Sequence, residues 1–260
     1  MIKKNLPIYL INQKKRPVRL ISAINELSKV GLSEYIIRKE GCSPERAKTR
    51  KYDFLTECVV DNIENRIFSC GLHPTWGSVG CAISHMELWN NMIENNVRYA
   101  LIVEDNIKIF DADKFLWSYN SALKLIKKAD VKPTLVSLFS FTHFNNRKYI
   151  EYNYYTPKEY FTGLSCYFLN ISAAKELLKK ITYIRLQIDL EVADVFLNRN
   201  IFSRFTIYIY DETGMMENKN FVSDVQYYFI EVEEIQKLFN LPYEIADRIH
   251  YFLPDKELVV

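Results

Sequence analysis

Residues 99–103, Tyr-Ala-Leu-Ile-Val, form an apolar run that ends on Glu104, Asp105 and Asn106. A run with no polar interruption reads as a strand covered on both faces, which calls for a mostly parallel sheet packed between helices. Its acidic end then stands at the carboxyl edge of the strand, where open α/β sheets bind ligands. Hard divalent cations such as Mn²⁺ and Mg²⁺ take oxygen ligands of this kind. Asp-Asn is also ordinary turn chemistry, so three residues alone leave a metal site and a plain acidic turn both open.

Length and composition narrow the partners. A chain of 260 residues can bury the core of one large α/β domain or two small ones. Its 34 Lys and Arg against 32 Asp and Glu leave a formal charge of +2, which gives no electrostatic case for nucleic acid. Small molecules and proteins are the expected partners. The five cysteines, at 42, 58, 70, 81 and 166, contain no C-x-x-C spacing, so neither a disulfide framework nor a zinc ribbon is indicated and a reducing compartment fits. The apolar run near the start breaks at Asn12 and is followed by Gln-Lys-Lys-Arg. It reads as a first strand, and no segment approaches the roughly 18 apolar residues of a membrane span. The expectation is a cytoplasmic protein, of a bacterium or of the host cell if the chain is viral, with at most peripheral membrane contact.

Periodicity predicts alternating strands and helices. A strand over 7–12 leads to a helix opened by Pro17, with Leu20, Ile24, Leu27 and Val30 at helical spacing up to Gly31. A second strand follows over 35–38, and the polar stretch over 41–65 has no readable period. From Gly80, residues Cys81, His85, Leu88, Trp89 and Met92 step by three or four and predict an amphipathic helix leading into the strand at Tyr99. A helix over 113–128, strands over 134–141 and 160–169, a helix over 173–180 capped by Ser172, a helix from about 190 and a strand over 201–210 complete the pattern. The residues from 232 to 252 suggest one or two helices broken at Pro242. This predicts an α/β domain over 1–226 and a C-terminal helical extension over 227–260, a candidate lid or dimer element.

Several segments together resemble glycosyltransferase family 25, which contains lipooligosaccharide glycosyltransferases and collagen hydroxylysine galactosyltransferases. They are Ile8-Tyr-Leu-Ile-Asn12 with Arg16-Pro17 and Arg19, the helix Gly80-Cys-Ala-Ile-Ser-His-Met-Glu-Leu-Trp89, and Leu101-Ile-Val-Glu-Asp-Asn-Ile107. Weaker echoes are Thr162-Gly-Leu-Ser-Cys-Tyr167, Gln187-Ile-Asp189 and Val222-Ser-Asp224. The resemblance implies a GT-A fold, a Rossmann-like mostly parallel sheet flanked by helices, binding a UDP-sugar with Mn²⁺ (or Mg²⁺) across the diphosphate. On that basis Asp105, Glu104 and Asn106 are the metal-site candidates. Asn106 departs from the carboxylate the family commonly carries, and an amide oxygen is a weaker ligand for a hard cation.

The resemblance also assigns Asn12, Arg16, Arg19, Ser84, His85, Glu104, Asp105 and Asp224 to donor binding. Guanidinium forks at Arg16 and Arg19 suit diphosphate oxygens, although a solvated basic turn with Lys14 and Lys15 reads equally well. His85 is either donor-site support beside Ser84 or a packed core histidine. If the anomeric carbon inverts, transfer needs a base for the acceptor hydroxyl. Asp189 is the first candidate and Glu191 the second, with helix capping as the competing role for Asp189. Tyr149, Tyr152, Tyr154, Tyr155, Tyr160 and Phe161 offer rings for a sugar acceptor or simply pack, and His73 and Trp76 could border the site.

The expected activity is transfer of galactose or glucose from a UDP-sugar to a hydroxyl of a lipooligosaccharide-like glycan or of hydroxylysine or galactosyl-hydroxylysine. Two rivals remain at this level: a non-catalytic nucleotide-sugar or glycan-binding protein with a degenerate metal site, and an unrelated nucleotide-binding α/β protein.

Overall fold

The computed structural model describes residues 6–65, 74–140, 154–158, 160–198, 205–210, 212–218 and 220–221. Its first strand, β1 (Ile8–Asn12), is buried along its whole length. Ile8 and Leu10 point into one core, while Tyr9 and Ile11 point into a second core on the other face. The same division holds for β3 (Tyr99–Glu104), where Leu101 and Val103 oppose Ala100 and Ile102. Period-two burial on both faces is what a sheet sandwiched between helices requires.

One layer is built by α1 (Pro17–Ser28) and α6 (Ala112–Ala129), the other by α5 (Trp76–Glu94), α7 (Ile171–Lys180) and α8 (Ile188–Leu197). Pro17 occupies the first position of α1, where its missing N–H costs nothing. Helix α5 begins one turn earlier than its apolar stripe predicts. A reciprocal cap explains this: Thr75 Oγ1 accepts from Ser78 N and Ser78 Oγ accepts from Thr75 N. Helix α7 is capped by Asn170, whose Oδ1 accepts from Ala173 N at 2.9 Å, and not by Ser172.

The remaining strands are β2 (Ile36–Glu40), β4 (Ile107–Ile109), β5 (Thr134–Ser137), β6 (Tyr154–Tyr155), β7 (Cys166–Asn170), β8 (Thr206–Tyr210) and β9 (Met215–Glu217). Seven strands form one sheet in the order β2-β1-β3-β7-β5-β8-β6. β1 pairs parallel with β2 and β3, and β5 with β8, whereas β7 runs against both β3 and β5 and β6 against β8. The sheet is therefore mostly parallel by strand direction, with β7 and β6 reversed. The expected strand over 160–169 begins only at Cys166, because Gly163 turns the chain with φ +94°. The strand expected over 134–141 ends at Ser137.

The unreadable stretch over 41–65 folds as three short helices, α2 (Pro44–Thr49), α3 (Lys51–Phe54) and α4 (Glu57–Glu64). The first two, of six and four residues, are too short to display a helical period. Strands β4 and β9 make a separate antiparallel ribbon. Glu26 of α1 holds it by accepting from Ile109 N at 2.8 Å. No described helix is long and apolar enough to cross a membrane. The expected C-terminal helices, Asp224 and His73 lie outside the described residues.

Candidate functional site

Strand β1 lies between β2 and β3; the crossover from β1 to β2 runs through α1 on one face of the sheet, and that from β2 to β3 runs past α5 on the other. Such a switch in direction opens a crevice at the carboxyl ends of the strands. A cleft of about 540 Å³, open solvent included, lies there. The parallel register sets Ile11 opposite Glu104, so Asn12 and Asp105 follow at the rim.

Asp105 is buried, 7% exposed. Its Oδ2 accepts from Asn12 Nδ2 at 2.7 Å, and its Oδ1 lies 3.4 Å from the Arg19 guanidinium. Burial raises its pKa against the opposing pull of Asn12 and Arg19, and Glu104 adds to the rise. Asn12 is fully committed: its amide also donates to Arg16 O at 2.9 Å, and its Oδ1 accepts from Arg38 Nε at 3.1 Å. It therefore serves as a strut that orients Asp105. Arg19 lines the cleft with only 11% of its side chain exposed and lies over the Phe221 ring at 5.6 Å. Arg16 stays exposed at the N-cap of α1 and is not part of the cleft wall.

Helix α5 supplies the opposite wall through Gly77, Cys81, Ser84 and His85. Its N-terminal turn, where backbone N–H groups and the helix dipole favour anions, opens on the cleft at Gly77. A Cβ on Gly80 would lie 2.5 Å from Cys42 O, so this glycine permits the close approach of α5 to the chain after β2. Ser84 secures that approach: its Oγ accepts from Cys42 N and donates to Gly80 O, both at 2.7 Å. Its hydroxyl is thus spent on the backbone, and it holds in place the Gly41–Cys42 stretch of the cleft wall.

His85 is completely buried and reaches Glu104 Oε1 with Nε2 at 3.1 Å. Cys81 Sγ lies 3.7 Å from the same oxygen. The Cys81 thiol is pushed well above its ordinary pKa by burial and by the negative charges of Glu104, Asp189 and Asp105. Three carboxylates therefore bear on one spot, with the Arg19 guanidinium as the basic group in the described wall.

Asn106, the departure from the family pattern, donates its Nδ2 to Glu217 Oε1 at 2.6 Å. Only the amide nitrogen can face a carboxylate, so the side-chain orientation is determined. Its Oδ1 is buried and carries no hydrogen bond. Glu104, Asp105 and Asn106 all line the cleft, and carboxylate and amide oxygens are the donor type that Mn²⁺ or Mg²⁺ takes.

The two base candidates differ sharply. Asp189 is buried in the first turn of α8, accepts from Gly163 N at 2.7 Å and Leu190 N at 2.9 Å, and has its pKa raised by burial and by Glu104. Glu191 is completely buried, and its Oε1 accepts from Arg185 N and Leu186 N while its Oε2 pairs with the Arg185 guanidinium at 2.9 Å. It anchors the segment before α8, and neither it nor Asp189 lines the cleft. The aromatic group divides likewise. Tyr154, Tyr155 and Phe161 are core residues, Tyr160 is exposed and bonded to Asp194 at 2.7 Å, and Tyr149 and Tyr152 lie outside the described residues. Trp76 opens α5 beside the cleft, with Lys48 Nζ 5.9 Å from its ring.

Tyr167 and Glu217 contribute to this site without being singled out by the sequence. Tyr167 closes the short family echo at 162–167 but sits in an apolar strand, and Glu217 belongs to a ribbon whose pairing no local pattern reveals.

No curated protein matches this chain significantly. A solved structure described as mannose-1-phosphate geranyltransferase from Thermus thermophilus aligns at 9% identity over 82% of this chain and 77% of that one, with a TM-score of 0.40. Residues 5–192 match the family described as Glycosyltransferase family 25 (LPS biosynthesis protein). That match spans most of the chain and contains β1, the Ser84-His85 helix and the Glu104-Asp105 strand end, so this protein belongs to glycosyltransferase family 25.

Proposed function

We propose that the cleft binds a UDP-hexose, galactose or glucose, and transfers the sugar to a hydroxyl of a glycan acceptor. The charge balance of the cleft carries this reading. A nucleoside diphosphate is itself an anion, and a wall holding Glu104 and Asp105, with Asp189 acting on it electrostatically, repels it unless a cation intervenes. Glu104, Asp105 and Oδ1 of Asn106 would hold Mn²⁺, which when bound neutralises the charge that develops on the departing diphosphate.

The protein's own groups divide the remaining work. Arg19 offers its fork to diphosphate oxygens, and the first turn of α5 offers backbone N–H groups at Gly77. Asn12 and Arg19 keep Asp105 oriented while the cleft fills. Glu104, tied by one oxygen to His85, presents the rest of its carboxylate to a ligand hydroxyl or the cation.

In a single displacement the acceptor oxygen attacks the anomeric carbon as its proton leaves and UDP departs. Asp189 is assigned the proton. Its raised pKa makes it a better base than an ordinary aspartate, and its charge reaches the cleft at Cys81 and Glu104. Asp224 is assigned to donor closure on its Val222-Ser-Asp224 motif alone, which follows the matched residues 5–192. The family description favours a lipopolysaccharide-type acceptor over hydroxylysine.

The test is a panel of UDP-sugars assayed for UDP release with glycan acceptors, with and without Mn²⁺. Mn²⁺-stimulated release from a UDP-hexose supports the reading. Calorimetric binding of UDP without release would favour a binding protein instead, the reading that Asn106 motivates.

A further inference from the structure

The hydrogen bonds behind Glu104 determine where the proton on His85 sits. Trp89, His85 and Tyr167 are all completely buried. Trp89 Nε1, which can only donate, is 2.9 Å from Tyr167 Oη. Burial holds the Tyr167 phenol well above its ordinary pKa, so it keeps its proton. That proton needs an acceptor, because an unpaired buried hydroxyl is costly. Among the described residues the acceptor in reach is His85 Nδ1, at 2.7 Å. Nδ1 therefore carries no hydrogen and Nε2 carries one, aimed at Glu104 Oε1 at 3.1 Å. Cys81 Sγ meets the same oxygen at 3.7 Å. Every donor in the chain from Trp89 to Glu104 has an acceptor in this arrangement alone.

We propose that Tyr167, seated by Trp89, is a positioning residue of the donor site: it fixes His85 as the Nε2–H tautomer, and His85 then locks one oxygen of Glu104 so that the other faces the donor. The functional half of this proposal rests on the cleft being the donor site. Glu104 is 21% exposed in its side chain while His85 is sealed, which is the arrangement of a ligand group held from behind. Such supporting bonds are needed because a loose carboxylate must be ordered when the ligand arrives.

The arrangement excludes an alternative use of the same atoms. Cys81 Sγ, His85 Nε2 and a Glu104 oxygen lie within 4.8 Å of one another, a spacing that could hold a metal ion such as Zn²⁺. Coordination through Nε2 would move the ring proton to Nδ1, where it would face the hydrogen of Tyr167 and leave the phenol without an acceptor. The relay and a zinc site therefore predict opposite tautomers.

The test is ¹⁵N NMR of the histidine rings in the full chain, with His85 assigned by its loss in His85→Gln. The expected spectrum has a pyridine-type Nδ1 and a pyrrole-type Nε2, unchanged by added Zn²⁺. In Tyr167→Phe the ring should sample both tautomers and UDP affinity should fall about tenfold, roughly 1.4 kcal/mol. Trp89→Phe, which leaves the phenol in place, should fall between. A pyrrole-type Nδ1 in the wild type, a mixture of tautomers, or a Zn²⁺-induced shift of Nε2 would overturn the relay. Unchanged UDP affinity in Tyr167→Phe despite an altered ring would overturn the positioning role. Failure of the wild type to bind UDP with or without Mn²⁺ would overturn the donor-site reading and the role with it, while the wild-type tautomer still decides the relay.

Discussion

Two acidic pairs face different fates in this molecule. Glu104 and Asp105 end a strand, Asp189 and Glu191 begin a helix, and all four are wholly or largely buried. Asp105 is met by an amide and a guanidinium, and Glu104 by a ring nitrogen and a thiol on one oxygen. These contacts orient the pair at a cleft and leave acceptor capacity over. Glu191 spends both oxygens on two backbone N–H groups and an arginine, and lines no cleft. The lesson is that a buried carboxylate becomes chemistry or scaffold according to how many lone pairs its own protein consumes. Asp189 lies between the extremes, bonded to two N–H groups yet electrostatically coupled to Glu104.

Substitutions can break this contrast. Asp105→Ala should cost the most function, a loss of ~10²–10³ in kcat/KM, about 3–4 kcal/mol, with little change in Tm. Glu191→Ala should do the reverse. Leaving Arg185 N and Leu186 N unpaired should cost about 3 kcal/mol of stability, read by denaturant unfolding, while the Mn²⁺ dependence of the remaining folded enzyme stays intact. Asp189→Asn should lower kcat by ~10² and leave UDP affinity unchanged.

The pH dependence of Asp189 sharpens the middle case. Its folded pKa is raised, so the folded protein holds this proton in a window that begins at the ordinary aspartate value, where the unfolded chain has already lost it. The folded state binds more protons there, and this group's contribution to stability falls as pH rises through the window. The same group sets an acidic limb of kcat above the ordinary aspartate value. Asp189→Asn should remove both the slope and the limb. If the limb persists, the base is another group.

The smallest expected effect concerns Asn106. Asn106→Asp would set a second carboxylate against Glu217, now 2.6 Å from the amide nitrogen. Alone it should weaken the fold by about 1 kcal/mol and not improve Mn²⁺ binding. Paired with Glu217→Gln it should recover stability and lower the Mn²⁺ concentration needed for half-maximal binding, measured by calorimetry.

Much of the architecture was legible because its elements are longer than their periods. β1 and β3 are uninterrupted apolar runs, α1 and α6 carry full stripes, and a strand-end acidic pair at a switch point follows from topology. The short helices over 44–54 were illegible because four to six residues cannot display a 3.6-residue period. The reversed insertion of β7 between β3 and β5, and the β4–β9 ribbon, depend on long-range pairing that no local pattern encodes. The site divides in the same way. Asp105, Arg19 and His85 could be found by motif, whereas Tyr167 looks like any core tyrosine until its hydroxyl is seen between Trp89 and His85.

The most direct test of the central claim is calorimetric titration of UDP into the wild type and Asp105→Ala, each with and without Mn²⁺. Mn²⁺ should tighten UDP binding to the wild type, and Asp105→Ala should abolish this gain. Equal enhancement by Mn²⁺ in both proteins would contradict the assignment of the diphosphate and metal locus to the carboxyl end of β3.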